Sequence, residues 1–144
     1  MKRAQIGNKV MTRRLMAVVV AALACAGEVA HAQDIDCANA QVQMEMTFCA
    51  ERDWMMADVD LNNAFKAAQV TMKGIDANLP ATQRKASSDL RDAQRAWVTF
   101  RDAACSAEGF LWHGGSGEQM IIYACRARLT RDRATDLWSL SEGF

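Results

Sequence analysis

The residues with the clearest chemical potential lie in the stretch HGGSGE, which runs from His113 to Glu118. A histidine three residues before Ser116 invites comparison with hydrolases, in which a histidine deprotonates a serine nucleophile. A nucleophile elbow, however, has the pattern G-x-S-x-G between a strand and a helix, whereas here the last position is Glu118 and no strand pattern precedes it. A glycine-rich loop would also hold His113 too loosely for it to act as a general base toward Ser116. We therefore expect no enzyme.

Sulfur-containing residues offer a second kind of chemistry. Four cysteines follow the N-terminal apolar run, at intervals of 12, 56 and 20 residues: Cys37, Cys49, Cys105 and Cys125. No C-x-x-C pair occurs among them, which argues against zinc. An even number of cysteines in a small exported chain favours two disulfides.

Methionine thioethers could in principle bind Cu(I). The candidates are Met44, Met46, Met55, Met56, Met72 and Met120. Met46 and Met72 fall on the apolar side of a predicted helix, where methionine is a good gap filler. We expect packing, and neither a metal nor another cofactor.

The N-terminus indicates export. Basic residues precede the apolar run Leu15 to Ala26, and the sequence AHA follows, ending at Ala32. Because the run has 12 residues and a membrane-spanning helix needs about 20, residues 1–32 are predicted to be a signal peptide cleaved after Ala32. The alternative is lipoprotein processing at Cys25, which would anchor the protein to a membrane. The predicted location is periplasmic or secreted.

Charge is uneven along the predicted mature chain, residues 33–144. It carries 12 basic and 16 acidic groups, a net charge of −4. The excess lies in its N-terminal half, where an acidic face is predicted from Glu45, Glu51, Asp53, Asp58 and Asp60. This distribution disfavours a nucleic-acid partner and suits a cationic one.

Apolar residues that recur every three or four positions predict three helices. They extend from about Val42 to Lys73, from about Ala81 to Glu108 and from about Glu118 to Ser139. The second contains LRDAQRAWVTFRDAAC, whose stripe is predicted to be Leu90, Ala93, Trp97, Phe100 and Ala104. Since no segment alternates with period two and the connections are short, we expect an all-α, small antiparallel bundle of about three long helices.

An antiparallel hairpin turning at Gly115 places residues equally far before and after it at the same height. Cys105 and Cys125 are each ten residues away, so they are predicted to form a disulfide. Elimination pairs Cys37 with Cys49, which requires the segment before Val42 to fold back as an N-terminal arm, because a continuous helix would separate these cysteines by about 18 Å.

Polar residues also fall on or beside the core stripes. They are Asp58, Asn62, Gln94, Arg101, Thr130 and Arg133. We expect an internal polar network that fixes helix register, with a ligand pocket as the alternative. The hairpin places Arg133 opposite Trp97, which predicts a guanidinium stacked on that ring and hydrogen-bonded to an acidic residue such as Asp58.

Four segments together resemble the LprI-like lysozyme-inhibitor family of exported proteins. They are DCANAQVQMEMTFCAERDWMMADVDLNNAF, LRDAQRAWVTFRDAAC, GGSGEQMIIYAC and RLTRDRATDL, which span about Asp36 to Leu137. Val42 departs from the pattern, since relatives tend to have a threonine three residues before the glutamate that corresponds to Glu45, and the valine removes a capping-box side chain. The resemblance implies a helical exported domain, residues 33–144, in a family with at least one lysozyme inhibitor.

The glycine-rich loop is the predicted partner-binding site. The residues concerned are Trp112, His113, Gly114, Gly115, Ser116 and Glu118. Apolar side chains beside a thin tip could form a wedge that enters the cleft of a lysozyme-type muramidase, with Ser116 or His113 hydrogen-bonded to its two catalytic carboxylates. A plain connector is the alternative for the loop, and an accessory envelope module without inhibitory activity is the alternative for the protein.

Overall fold

Three long helices make up most of the computed structural model, which describes residues 35–143. Helix α1 is Gln43–Ala77, α2 is Ala86–Gly109 and α3 is Glu118–Glu142. One 3-10 turn, Ala81–Gln83, lies between α1 and α2, and another, Phe110–Trp112, follows α2. No strand occurs in residues 35–143, so the predicted all-α fold is confirmed. The predicted signal peptide and Cys25 lie outside the described residues.

Successive helices run in opposite directions, which leaves α1 and α3 parallel to each other. The interface between α1 and α3 is the largest in the bundle, and polar contacts are spaced along it. Trp138 Nε1 donates to Asp60 Oδ1 at 3.1 Å, and Thr71 Oγ1 donates to the Ser141 carbonyl at 2.9 Å. The bundle is therefore held mainly by two helices that are not adjacent in sequence.

Helix α1 is longer than predicted, because it continues through Gly74 to Ala77. A glycine inside a helix costs only about 1 kcal/mol relative to alanine, which packing and end contacts can offset. Asn78 ends the helix, with its backbone N–H bonded to the Ile75 carbonyl at 3.1 Å and its side chain to the Gly74 carbonyl at 3.0 Å. The predicted stop at Gly74 is wrong by about one turn.

Helix α2 begins at Ala86, later than predicted, because Pro80 starts a 3-10 turn instead. No side chain of the N-cap residue bonds the first turn of α2; a residue of α1 does so in its place. Asp76 accepts the backbone N–H groups of Ala86 at 2.9 Å and Ser87 at 3.0 Å. These bonds satisfy N–H groups that have no partner within a helix, and they tie α2 to α1.

The aliphatic core lies toward the end of the bundle where α1 ends and α2 begins. It is formed by Leu61, Ala64, Ala68, Leu90, Ala134 and Leu137, with Phe65, Met72, Trp97 and Leu140 at its edge. The predicted stripe of α2 is partly wrong, since Phe100 is 60% exposed and Ala93 is also exposed. Arg101 is buried instead, one position and about 100° further round the helix.

Both predicted disulfides are confirmed. The Cα atoms of Cys105 and Cys125 are 5.4 Å apart, and those of Cys37 and Cys49 are 5.5 Å apart. The residues between Cys37 and Gln43 turn back as an N-terminal arm, as expected. Val42 is the N-cap of α1 and provides no side-chain bond, whereas Glu45 accepts the Gln41 backbone N–H at 3.2 Å. Within residues 35–143, no helix is both apolar and long enough to cross a membrane.

Candidate functional site

The loop between α2 and α3, residues 110–117, projects three large apolar side chains into solvent. The 3-10 turn Phe110–Trp112 exposes all three of its residues, and Leu111 is 83% exposed. Beyond it, the Gly115 N–H donates to the Trp112 carbonyl at 2.9 Å, closing a second turn. Gly114 has a φ of 76°, a conformation that side chains other than glycine's rarely adopt. We name residues 110–117 the α2–α3 loop.

A carboxylate from the first turn of α3 braces this loop. Glu118 accepts the Gly114 backbone N–H at 2.9 Å and lies 3.3 Å from Nδ1 of His113. The bond from Gly114, followed by the one from His113, lowers the pKa of Glu118. These contacts favour the ionised carboxylate and fix the turn at the tip.

The base of the loop is held closely. A β-carbon placed on Gly109 would lie only 2.4 Å from Cγ1 of Ile122, so α2 and α3 approach at a distance that only glycine permits. The buried Cys105 and Cys125 bridge the same two helices one turn further from the loop. The rings of Phe110 and His113 stack with centroids 4.3 Å apart. The loop is therefore a rigid extension of the hairpin.

The structure brings all the predicted partner-binding residues together. Trp112, His113, Gly114, Gly115 and Ser116 are exposed on the loop. Glu118 differs from them, because its carboxylate faces back into the loop and is engaged by Gly114 and His113. The sequence carried a signal for this brace, since acidic residues favour the first turn of a helix. That these residues bind a partner remains a prediction.

Next to the loop end, arginine and aromatic side chains form a cluster between the helices. Arg101, only 6% exposed, lies between two indoles, 5.3 Å from the ring centroid of Trp97 and 5.5 Å from that of Trp54. Its charge is balanced by Asp102 at 3.0 Å and Asp58 at 3.5 Å. The predicted stacking on Trp97 with support from Asp58 is present, but the arginine that makes it is Arg101.

Arg133, the arginine predicted for that position, has a different partner. Its Nε donates to Oε1 of Gln94 at 3.1 Å, about one turn from Trp97 along α2. The predicted stacking of Arg133 on Trp97 is therefore wrong. The predicted level of Arg133 along α2 differs from the observed one by only about one turn.

The six residues predicted to form an internal network fall into separate groups. Asn62 donates to Asp58 at 2.9 Å, and Asp58 pairs with Arg101; Gln94 and Arg133 form another pair. Thr130 is fully buried, and its hydroxyl has no hydrogen-bond partner among the described residues. That these groups fix helix register is still a prediction.

Sequence reasoning missed three members of the cluster. Arg126 lies 4.9 Å from the centroid of the Trp54 ring, and its Nε lies 3.3 Å from Asp102. Tyr123 stacks on Trp54, with the two ring centroids 5.7 Å apart. A hydrogen bond with Glu51 raises the pKa of Tyr123. Asp102 belongs to α2, Tyr123 and Arg126 belong to α3, and the ring that they surround, Trp54, belongs to α1, so no spacing along the sequence relates the whole cluster.

The predicted acidic face of α1 is largely paired with neighbouring groups. Asp53 forms an ion pair with Arg131, Asp60 accepts the Trp138 indole N–H, and Glu45 accepts a backbone N–H from the arm. Within residues 35–143, no group of three or more His, Cys, Asp or Glu side chains has an arrangement suited to a metal ion.

Comparison with known proteins gives three consistent similarities. A protein of Rhizobium meliloti (strain 1021), described as uncharacterized, is 37% identical over 134 residues, covering 90% of this chain and 96% of that protein. The crystal structure of a DUF1311 family protein from Pseudomonas putida KT2440 superposes with a TM-score of 0.62 at 22% identity, covering 74% of this chain and all of that one. That likeness supports the fold. The family model described as lysozyme inhibitor LprI matches residues 36–137, and the chain belongs to this family.

Proposed function

We propose that the protein binds a lysozyme-type muramidase and inhibits it by inserting the α2–α3 loop into the active-site cleft. The observation that carries the proposal is the exposure of Phe110, Leu111 and Trp112 as three consecutive large apolar residues. Contiguous exposed apolar surface on a soluble domain marks interaction sites, and tryptophan is among the commonest residues to dominate binding energy.

The tip of the loop has groups suited to a glycosidase active site. Such sites have two carboxyl groups, one protonated as the general acid and one ionised. His113 uses Nδ1 toward Glu118, which leaves Nε2 on the exposed side of the ring. In the complex, the protonated acid would donate a hydrogen bond to Nε2 of His113, and the Ser116 hydroxyl would donate one to the ionised carboxylate.

Rigidity of the loop favours tight binding. The Cys105–Cys125 bridge, the close contact at Gly109 and the Glu118 brace hold the loop in one conformation before a partner arrives. Less conformational entropy is then lost on association.

The compartment fits such a partner. Family membership and two disulfides indicate an extracytoplasmic protein, because disulfides persist in oxidising environments. A muramidase that attacks the cell wall acts in the same space. A binding role needs no catalytic group of the inhibitor, consistent with a non-enzymatic function.

The test is a cell-wall lysis assay with purified, oxidised residues 33–144. The protein is added at equimolar amounts and at tenfold excess to lysozymes of several types. We expect slowed lysis by at least one type, and loss of most of that inhibition in Leu111→Ser and Trp112→Ala. Substitution of Ser116 or His113 by alanine should weaken inhibition by about tenfold each, the effect of losing roughly one hydrogen bond to a charged group.

The matched control is Val59→Ser, which replaces another exposed apolar residue on the outer side of α1. It should inhibit as the unaltered protein does, and circular dichroism should show every variant folded. Undiminished lysis with all lysozyme types would overturn the proposal. Full inhibition by the loop variants would overturn the assignment of the loop.

A further inference from the structure

The first turn of α1 lies at the same end of the bundle as the α2–α3 loop. Gln43 Nε2 donates to the sulfur of Met120 in the first turn of α3 at 3.5 Å. A β-carbon placed on the buried Gly117 would lie 3.7 Å from Gln43 Oε1 and 3.5 Å from Cε3 of Trp112. Gln43 and Trp112 are therefore both neighbours of Gly117.

Val42 and Met44, the neighbours of Gln43 in the chain, are both exposed, Met44 to 75%. Their Cα atoms lie about 3.8 Å from that of Gln43, so the first turn of α1 carries both residues at the loop end of the bundle. Together with Phe110, Leu111 and Trp112 they place five exposed apolar residues at one end of the molecule. Scattered exposed apolar residues are ordinary, but a cluster of this kind marks an interface.

The position of this turn is fixed by contacts that do not depend on Val42. The Cys37–Cys49 bridge ties the N-terminal arm to α1, and Glu45 bonds the backbone N–H of Gln41. Val42 occupies the N-cap, where the side chain of serine, threonine, aspartate or asparagine would stabilise the helix, and its own side chain forms no hydrogen bond there. An exposed valine at this position gives the fold no evident benefit.

The charge at this end suits a basic partner. The described part of the N-terminal arm and the first turns of α1, residues 35–53, contain Asp36, Glu45, Glu51 and Asp53 and one basic residue, Arg52. Glu108 and Glu118 lie at the ends of the loop, where Glu108 pairs with Arg128 and Glu118 accepts the Gly114 N–H. Lysozymes are basic proteins, and complementary charge favours their approach to this surface.

We infer that the muramidase contacts a surface of two elements, in which Val42 and Met44 on the first turn of α1 form a second contact beside the loop. The inference rests on the proposed function, because it assigns a wider footprint to the same partner. The N-terminal arm then has a defined role: its disulfide holds the second contact in register with the loop.

The test compares inhibition constants for one lysozyme that the unaltered protein inhibits. We expect Val42→Ser/Met44→Ser to inhibit about tenfold more weakly, as expected for two interface side chains of modest contribution. Val70→Ser is the matched control, since Val70 is also on α1 and 71% exposed but lies toward the opposite end. It should inhibit normally.

A single conservative change separates binding from stability. Val42→Thr restores a capping side chain and should raise the melting temperature while it weakens inhibition, opposite changes that a purely structural residue would not give. Normal inhibition by Val42→Ser/Met44→Ser, with inhibition lost in Leu111→Ser, would overturn this inference and leave the proposed function standing. Failure of the unaltered protein to inhibit any lysozyme would overturn both.

Discussion

Arg101 and Trp97 lie one turn apart on α2, and the guanidinium carbon of Arg101 is 5.3 Å from the centroid of the Trp97 ring. Trp54 of α1 lies on another side of the same guanidinium at 5.5 Å. Near the loop, the bundle is therefore packed by a cation between aromatic rings, whereas its aliphatic core lies toward the other end. Arginine can fill such a site because its stem is apolar and its planar head stacks on indoles.

Replacing Arg101 should be costly. Arg101→Ala removes a buried cation with its packing against two indoles and takes one cationic partner from each of Asp58 and Asp102, so we expect a loss of about 2–4 kcal/mol in the free energy of unfolding. Arg101→Lys should lose roughly half as much, because it retains charge but not the planar fork. Denaturant unfolding of the oxidised protein measures both.

Arg95 is the control for this comparison, since its ion pair with Asp92 on the same helix is largely exposed. Arg95→Ala should cost at most about 0.5 kcal/mol. Equal losses for Arg101→Ala and Arg95→Ala would show that the stacked cation contributes nothing beyond a surface charge.

The hairpin could be predicted from sequence because helix geometry is regular. A constant rise per residue relates Cys105 to Cys125 once the turn at Gly115 is recognised, and the bridge forms as expected. The arginine between the tryptophans could not be identified in the same way. Residue type alone favours Phe100 over Arg101 as the buried residue of this stripe. Arg101 is buried partly against Trp54, which lies on another helix.

The loop shows the same limit. Its glycines and aromatic residues indicated a surface site, but the sequence alone left the orientation of Glu118 undetermined. Gly114 has a positive φ and donates its N–H to that carboxylate, a local arrangement that no spacing rule contains.

Two glycines should respond in opposite ways to the same substitution. Gly109→Ala places a methyl group 2.4 Å from Ile122 Cγ1, so we expect a loss of about 1–3 kcal/mol. Gly74→Ala meets open space on an exposed part of α1 and should stabilise the protein by about 0.5–1 kcal/mol. Thermal unfolding measures both changes.

A second substitution tests the cause of the Gly109 effect. Ile122→Ala removes the atoms that the new methyl group would meet, so Gly109→Ala should cost less in that background than in the unaltered protein. An unchanged cost would mean that a neighbour other than Ile122, such as the Glu118 carbonyl at 3.5 Å, disfavours the alanine.

The tip of the loop should loosen in acid. The folded-state pKa of Glu118 is lower than that of an unfolded glutamate, so its stabilising contribution is complete above about pH 4.3 and is lost as the pH falls through the lower folded value. The amide proton of Gly114 should follow this titration in nuclear magnetic resonance spectra, because it donates to the carboxylate.

In Glu118→Gln, the Gly114 amide signal should no longer titrate. The amide of Ser87, which donates to Asp76 at 3.0 Å, should titrate in both proteins and serves as the internal control. A Gly114 signal that still moves with pH in the variant would assign the brace to another group.

Association with a basic lysozyme should be accelerated by the acidic end of the bundle. Raising the ionic strength should lower the association rate constant and change the dissociation rate constant little, because screening acts mainly on approach. Gln41→Lys adds a positive charge to the exposed arm, and Gln83→Lys makes the same change in the 3-10 turn near the opposite end. At low salt, Gln41→Lys should slow association by about twofold, with a smaller effect for Gln83→Lys. Stopped-flow or surface-based kinetics at several salt concentrations measure these rates, and equal slowing by the two variants would indicate that net charge alone steers the partner.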